Sequence, residues 1–184
     1  MSKSRDKRQR IDLDLFLLAL IESGISAPYD FQRAASLSPG ATIPALQRLL
    51  ESGFIRQGKP GARGRADHRV TPSGRKLLKT GWRDLIEDGP SGDLDADLRI
   101  ALLALCVGKE RRLAADFLTG TAAKKRATIE ALKESSETGS ESPLADWYIR
   151  LRSETAQATL KAESTAALAM AEALPWKLSA KRRR

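Results

Sequence analysis

Apolar positions along the chain recur mostly at helical spacing, in segments separated by glycine, proline and short polar runs. Over residues 12–23, Leu13, Phe16, Leu17, Leu20 and Ile21 share one helical face, and Gly24 ends the run. Ser26 is placed to cap a second helix reaching about residue 36, with Pro28 tolerated in its first turn. A third helix has Ser38-Pro39 as cap and first position, and Pro44 is expected to interrupt it one turn in. Its buried stripe is Leu46, Leu49 and Leu50, and Gly53 supplies the stop. The opposite face holds Ala41, Pro44 and Arg48, with Gln47 at its edge. The period then changes. Phe54 and Ile55 open an extended segment, residues 68–70 close one, and QGKPGARGRAD between them is a glycine-rich turn. Thr71-Pro72 caps a fourth helix to about residue 87, lined by Leu78, Trp82, Leu85 and Ile86.

Beyond Gly89-Pro90-Ser91-Gly92 the pattern is helical throughout. One segment, 93–107, ends at Gly108, and two more, 110–119 and 121–137, are separated by Gly120. After a polar loop at 138–142, Ser142-Pro143 caps a last helix to about residue 174, stopped by Pro175. About 30 residues of helix span roughly 45 Å, too long to bury against one small domain. Leu144, Trp147, Tyr148 and Leu151, then Ala158, Ala162 and Leu168, suit packing against a partner helix. An antiparallel helical subdomain within the chain is the alternative.

A short helix followed by a basic two-stranded loop is the winged helix-turn-helix order, in which the helix enters a major groove and the wing lies along the backbone. The predicted fold is mainly α: a winged helix-turn-helix domain with a small β-wing, and a C-terminal all-helical dimerisation region. The expected divisions are a disordered basic arm at 1–10, the DNA-binding domain at 11–88, a linker at 89–92, a helical dimerisation domain at 93–178 and a basic tail at 179–184.

Charge sharpens this picture. The formal net charge is +9, but residues 1–86 carry 16 Lys/Arg against 8 Asp/Glu, and residues 87–180 carry 12 against 15. Positive charge concentrated in the first half is the footprint of a polyanion binder. Lys59, Arg63, Arg65 and Arg69 of the wing would neutralise phosphates, Arg48 and Gln47 would reach base edges, and Ala41 and Ile43 would meet thymine methyls. Tyr29, at the start of the second helix, would donate to a phosphate, and Ser38 opens the reading helix. The single cysteine, Cys106, lies in an apolar run and reads as a core residue, and one histidine, His68, cannot form a metal cluster. Paired carboxylates with a histidine, a phosphate-binding glycine loop and a nucleophile constellation are all absent from the sequence. The chain is therefore expected to be no enzyme and to use no cofactor. Basic residues followed by LFLLALI do not make a leader, because Asp12 and Asp14 break the apolar boundary and the run is short. No run approaches a membrane span, so a cytoplasmic, nucleoid-associated protein is expected.

Several segments together resemble the PadR family of bacterial repressors. They are LLALIESG, PYDFQRA with Tyr29, SPGATIPALQRLLESGFI, and the wing closing in HRVTPSGRKLL, with a looser match at LADWYIRLRSET. The family pattern over the third helix reads approximately SPGTLYPALKRLEEEGLI, so Ala41, Thr42 and Ile43 stand where the family has threonine, leucine and tyrosine. The resemblance implies a homodimer joined through the C-terminal helices, with two recognition helices presented to a palindromic operator. It also implies repression of transcription, and in some members a small aromatic effector stacked on aromatic side chains, for which Trp82 and Trp147 are the candidates here. A winged helix kept as a protein-interaction or assembly module is the competing reading, motivated by the apolar Ala41 and Ile43.

Overall fold

The computed structural model describes residues 2–60, 66–135 and 142–175. Arg63 and Arg65 of the expected wing, most of the polar loop before the last helix, and the basic tail at 179–184 lie outside the described residues. The chain is mainly helical with one two-stranded antiparallel sheet. It divides into two compact units, Met1–Asp88 with Leu102–Glu110, and Gly89–Ala101 with Arg111–Arg184.

The first unit contains helices α1 (Ser2–Glu22), α2 (Pro28–Ala35), α3 (Pro39–Glu51) and α4 (Pro72–Glu87), with strands β1 (Ile55–Pro60) and β2 (Ala66–Val70) between α3 and α4. Its centre is α1, which packs against α3, α4 and β2. With neighbours on several sides, α1 buries Leu15 and Leu18 as well as Leu17 and Ile21, whereas Leu13, Phe16 and Leu20 of the expected stripe are half-buried. A single-face reading fails for a helix enclosed on more than one side. The helix also begins at Ser2, so residues 2–10 continue it where a disordered arm was expected. That stretch holds no glycine or proline and is rich in Lys and Arg, which propagate a helix once the packed part has nucleated it.

Helix α2 starts after Ala27 with no side-chain cap, so Ser26 is not the cap expected of it. The Ser26 carbonyl instead accepts from the backbone N–H of His68 at 3.1 Å and lies 2.9 Å from its Nδ1, tying β2 to the α1–α2 connection. At α3 the Ser38 hydroxyl accepts from the N–H of Ala41, as expected of its cap. Pro44 does not interrupt the helix, which runs on to Glu51. Pro44 and Gly40, whose carbonyl it leaves without an amide partner, are both exposed, so solvent can serve that carbonyl. The chain leaves α3 through Gly53 at φ +69°, the left-handed region that favours glycine.

The hairpin pairs Ile55 with Val70, Arg56 with Arg69 and Gln57 with His68, then shifts register before Pro60 pairs with Ala66. Ile55, His68 and Val70 face inward and are buried. Thr71 closes the unit: its hydroxyl accepts from the Gly74 N–H at 3.1 Å and donates to the Gly53 carbonyl at 2.7 Å. A Cβ on Gly74 would lie 2.1 Å from the Phe54 carbonyl oxygen, so only glycine lets the first turn of α4 approach β1.

The second unit is built on α6 (Arg111–Ser135) and α7 (Pro143–Ala173), joined to the start of α5 (Leu94–Leu103). Gly120 does not divide α6, contrary to expectation: a Cβ there would sit 3.0 Å from Pro90 Cγ, so the glycine serves close packing. Residues 89–92 are likewise not a free linker. The buried Asp97 carboxylate accepts from Ser91 N and Oγ at 2.8 Å each, Gly92 N at 3.0 Å and Thr121 Oγ1 at 3.1 Å. Helices α6 and α7 run antiparallel: Arg111 Nε donates to the Leu174 carbonyl at 2.8 Å, and Ser164 Oγ to the Ala122 carbonyl at 3.2 Å. Buried Lys125 pairs with Glu163 and donates to the Gly92 carbonyl at 2.7 Å. On α7 the stripe buried within this unit is Ser164, Ala167 and Ala171, while Ala158 and Ala162 are exposed and Leu168 is half-buried.

The end of α5 continues as a π-helical turn, Ala104–Gly108, that belongs to the first unit. The wider turn shifts the phase of the residues that follow, and Cys106 is exposed rather than in the core. Among the described residues, no helix is long and apolar enough to cross a membrane.

Candidate nucleic-acid interface

Helices α2 and α3 are joined by three residues, with Ser36 at φ +52° and its N–H bonded to the α2 carbonyls. Three residues is also the length of turn found between the two helices of a helix-turn-helix. Phe31 from α2 and Ala45, Leu46 and Leu49 from α3 are buried, as is Thr42, whose hydroxyl donates to the Ser38 carbonyl at 3.1 Å. Those anchors leave Ser38, Ala41, Ile43, Pro44 and Gln47 exposed on α3, and Tyr29 exposed on α2. Ile43 is 49% exposed, a large apolar side chain held in water.

Arg48 is held differently from its neighbours on this helix. Its guanidinium is turned back onto α1, with Nη2 2.6 Å and Nε 3.2 Å from the two carboxylate oxygens of Asp14. Burial raises the Asp14 pKa above the ordinary carboxylate range, and the hydrogen bond and charge of Arg48, with the charge of Arg10, work against that rise. The pair occupies Nε and Nη2, and the Arg48 side chain stays 35% exposed. The sequence signal was available: a carboxylate on an otherwise apolar helix needs a partner.

On the hairpin, Arg56 and Arg69 are directly opposed and exposed. With Gln57, Gly58 and Asp67 they line an open groove of about 440 Å³. No ion pair among the described residues engages either arginine. Arg69 was expected here and Arg56 was missed, although it directly follows Ile55, whose inward position sends its neighbour outward. Like charges placed opposite each other in an antiparallel pair are destabilising. An anion between them would reverse that sign. Lys59 lies in β1, and only its backbone is described.

The two tryptophans divide. Trp82 is fully buried, with its Nε1–H donated to the Lys79 carbonyl at 3.1 Å, and a Cβ on Gly108 would meet its ring at 2.4 Å. It is a core residue of the first unit and offers no free ring face to an effector. On α7, Leu144, Trp147, Tyr148 and Leu151 are 81, 61, 61 and 51% exposed, and Ile149, outside that stripe, is 46% exposed. The exposed cluster sits on the first turns of α7. Arg150 and Arg152 lie 5.8 and 5.7 Å over the Trp147 and Tyr148 rings.

No protein-family model matches the chain, and no curated protein matches it.

Proposed function

We propose that the chain is a dimeric, DNA-binding transcriptional regulator of the winged helix-turn-helix type, PadR-like in its layout, with β1–β2 as the wing and α3 as the reading helix. The observation that carries this reading is the directly opposed, exposed Arg56–Arg69 pair on the hairpin, which no ion pair among the described residues engages. Such a pair costs stability in water and is offset by a phosphate backbone. Beside it in the same unit, Ala41, Ile43 and Gln47 give α3 methyl groups and an amide for the major groove. Arg48 has no part in base reading on this account. The exposed apolar cluster at the start of α7 supports assembly of two copies, which would set half-sites about one helical turn, ~34 Å, apart. The apolar Ile43 favours the competing reading of a protein-interaction module.

One titration separates the two. The full chain is added to a labelled duplex from its own upstream region and to a random duplex, and the complexes are sized by sedimentation. The regulator reading expects tighter binding to the upstream duplex by two protomers. Equal or absent binding to both duplexes contradicts it and leaves the interaction module.

A further inference from the structure

Residues 87–180 are net acidic, with 12 Lys/Arg against 15 Asp/Glu, yet one groove of the second unit gathers cations. Positions 126, 129, 130 and 133 of α6 share a face at helical spacing, as do 157, 158, 161 and 164 of α7. Between the two faces lies an open groove of about 510 Å³, within the range of small-molecule sites. Its lining carries three cations, Arg126, Lys133 and Lys161, and one acid, Glu130. Lys133 holds that acid at 2.9 Å, and no ion pair among the described residues engages Arg126 or Lys161. The contacts of Ser164 with Ala122 and of Glu163 with Lys125 fix the antiparallel register, which brings Lys161 across from Arg126. The hydroxyls of Ser164 and Thr165 already donate to the carbonyls of Ala122 and Lys161, so recognition falls to the two charges. Half-buried Ile129 and the methyl group of Ala158 add an apolar patch to the same groove.

We propose that this groove binds a small phosphate monoester, with the phosphate between Arg126 and Lys161 and the apolar body against Ile129 and Ala158. Two cations that no described acid engages match a ligand group of two negative charges. A phosphate monoester carries about −1.5 to −2 at pH 7 and offers three strong acceptor oxygens, whereas a carboxylate brings a single charge. A guanidinium takes two of those oxygens side by side, and an ammonium meets the group as a point charge. All lining residues belong to the second unit, and the inference does not depend on the DNA-binding reading.

The test is calorimetric titration of the full chain with hexyl phosphate, hexanoate and inorganic phosphate. Hexyl phosphate should bind at least about tenfold more tightly than hexanoate, through its second charge, and than inorganic phosphate, through its apolar body. Arg126→Ala/Lys161→Ala should weaken hexyl phosphate by at least about tenfold. The charge-matched Arg112→Ala/Arg152→Ala, which removes exposed cations outside the groove, should leave its affinity unchanged. Alanine keeps both helices, and circular dichroism checks that it does. Lys161→Gln alone is the milder change and should give an intermediate loss, so the claim stays testable if the double variant is destabilised. Equal affinity for hexyl phosphate and hexanoate, equal losses in the two double variants, or no binding at millimolar concentration would each overturn the inference. So would a loss of duplex binding in Arg126→Ala/Lys161→Ala with hexyl phosphate unaffected, which would make the two cations a nucleic-acid contact.

Discussion

The hairpin of the first unit and the α5–α6–α7 core of the second treat charge in opposite ways. Around Asp97 and Lys125 each buried charge is surrounded by partners: Asp97 takes four hydrogen bonds, and Lys125 holds Glu163 and the Gly92 carbonyl. On the hairpin, Arg56 and Arg69 stand exposed opposite each other, and no ion pair among the described residues engages either. Charges satisfied inside the chain hold it together. Charges left opposed on a surface bring the folded chain no stability of their own.

The largest effect that would break this contrast is at Asp97. Replacing it by alanine removes the acceptor of two backbone N–H groups and two hydroxyls in a buried setting, each worth ~1–3 kcal/mol when left unmade. Asp97→Ala should destabilise the chain by at least about 3 kcal/mol in urea unfolding, and a loss under ~1 kcal/mol would mean that Asp97 is not the hub of this core.

Arg48 stands between the two regimes, since it was expected to face DNA and instead faces Asp14. Arg48→Ala should cost about 1–2 kcal/mol of stability, between the values for exposed and fully buried pairs. It also lifts the Asp14 pKa further by removing the interaction that opposes burial. A carboxyl raised in the folded state binds more protons folded than unfolded. The loss is then complete near neutral pH and eases as pH falls through the raised value. Chemical unfolding at several pH values checks both. A stability unchanged at every pH would return Arg48 to the solvent-facing set.

Much of the first unit was legible because its signals are local. Ser38-Pro39, Thr71-Pro72 and Ser142-Pro143 do cap helices, Gly53 does stop one, and Leu46 and Leu49 are buried. What failed depended on tertiary neighbours. Gly120 reads as a break until Pro90 is placed against it, Pro44 as a break until its side of α3 is seen to be exposed, and Cys106 as core until the π-helical turn shifts its phase. In the candidate site, the exposure of Ala41, Ile43 and Gln47 followed from the leucine stripe on the other face of α3. Arg48 did not, because its partner lies 34 positions away on α1. Arg56 escaped notice because one strand read alone gives no hint that it faces Arg69.

The most direct test of the account is the double variant Arg56→Ala/Arg69→Ala, measured for unfolding stability and for the salt dependence of duplex binding. Relieving the opposed pair should leave stability unchanged or raise it by a few tenths of a kcal/mol, within the ~0.2–1 kcal/mol scale of cross-strand pairs. The salt slope should flatten by about 1.8 logarithmic units per protomer, while the preference for the upstream duplex over random DNA stays nearly the same. An unaltered slope with DNA binding intact, or a clear loss of stability, would show that the two arginines serve the fold and not a phosphate backbone.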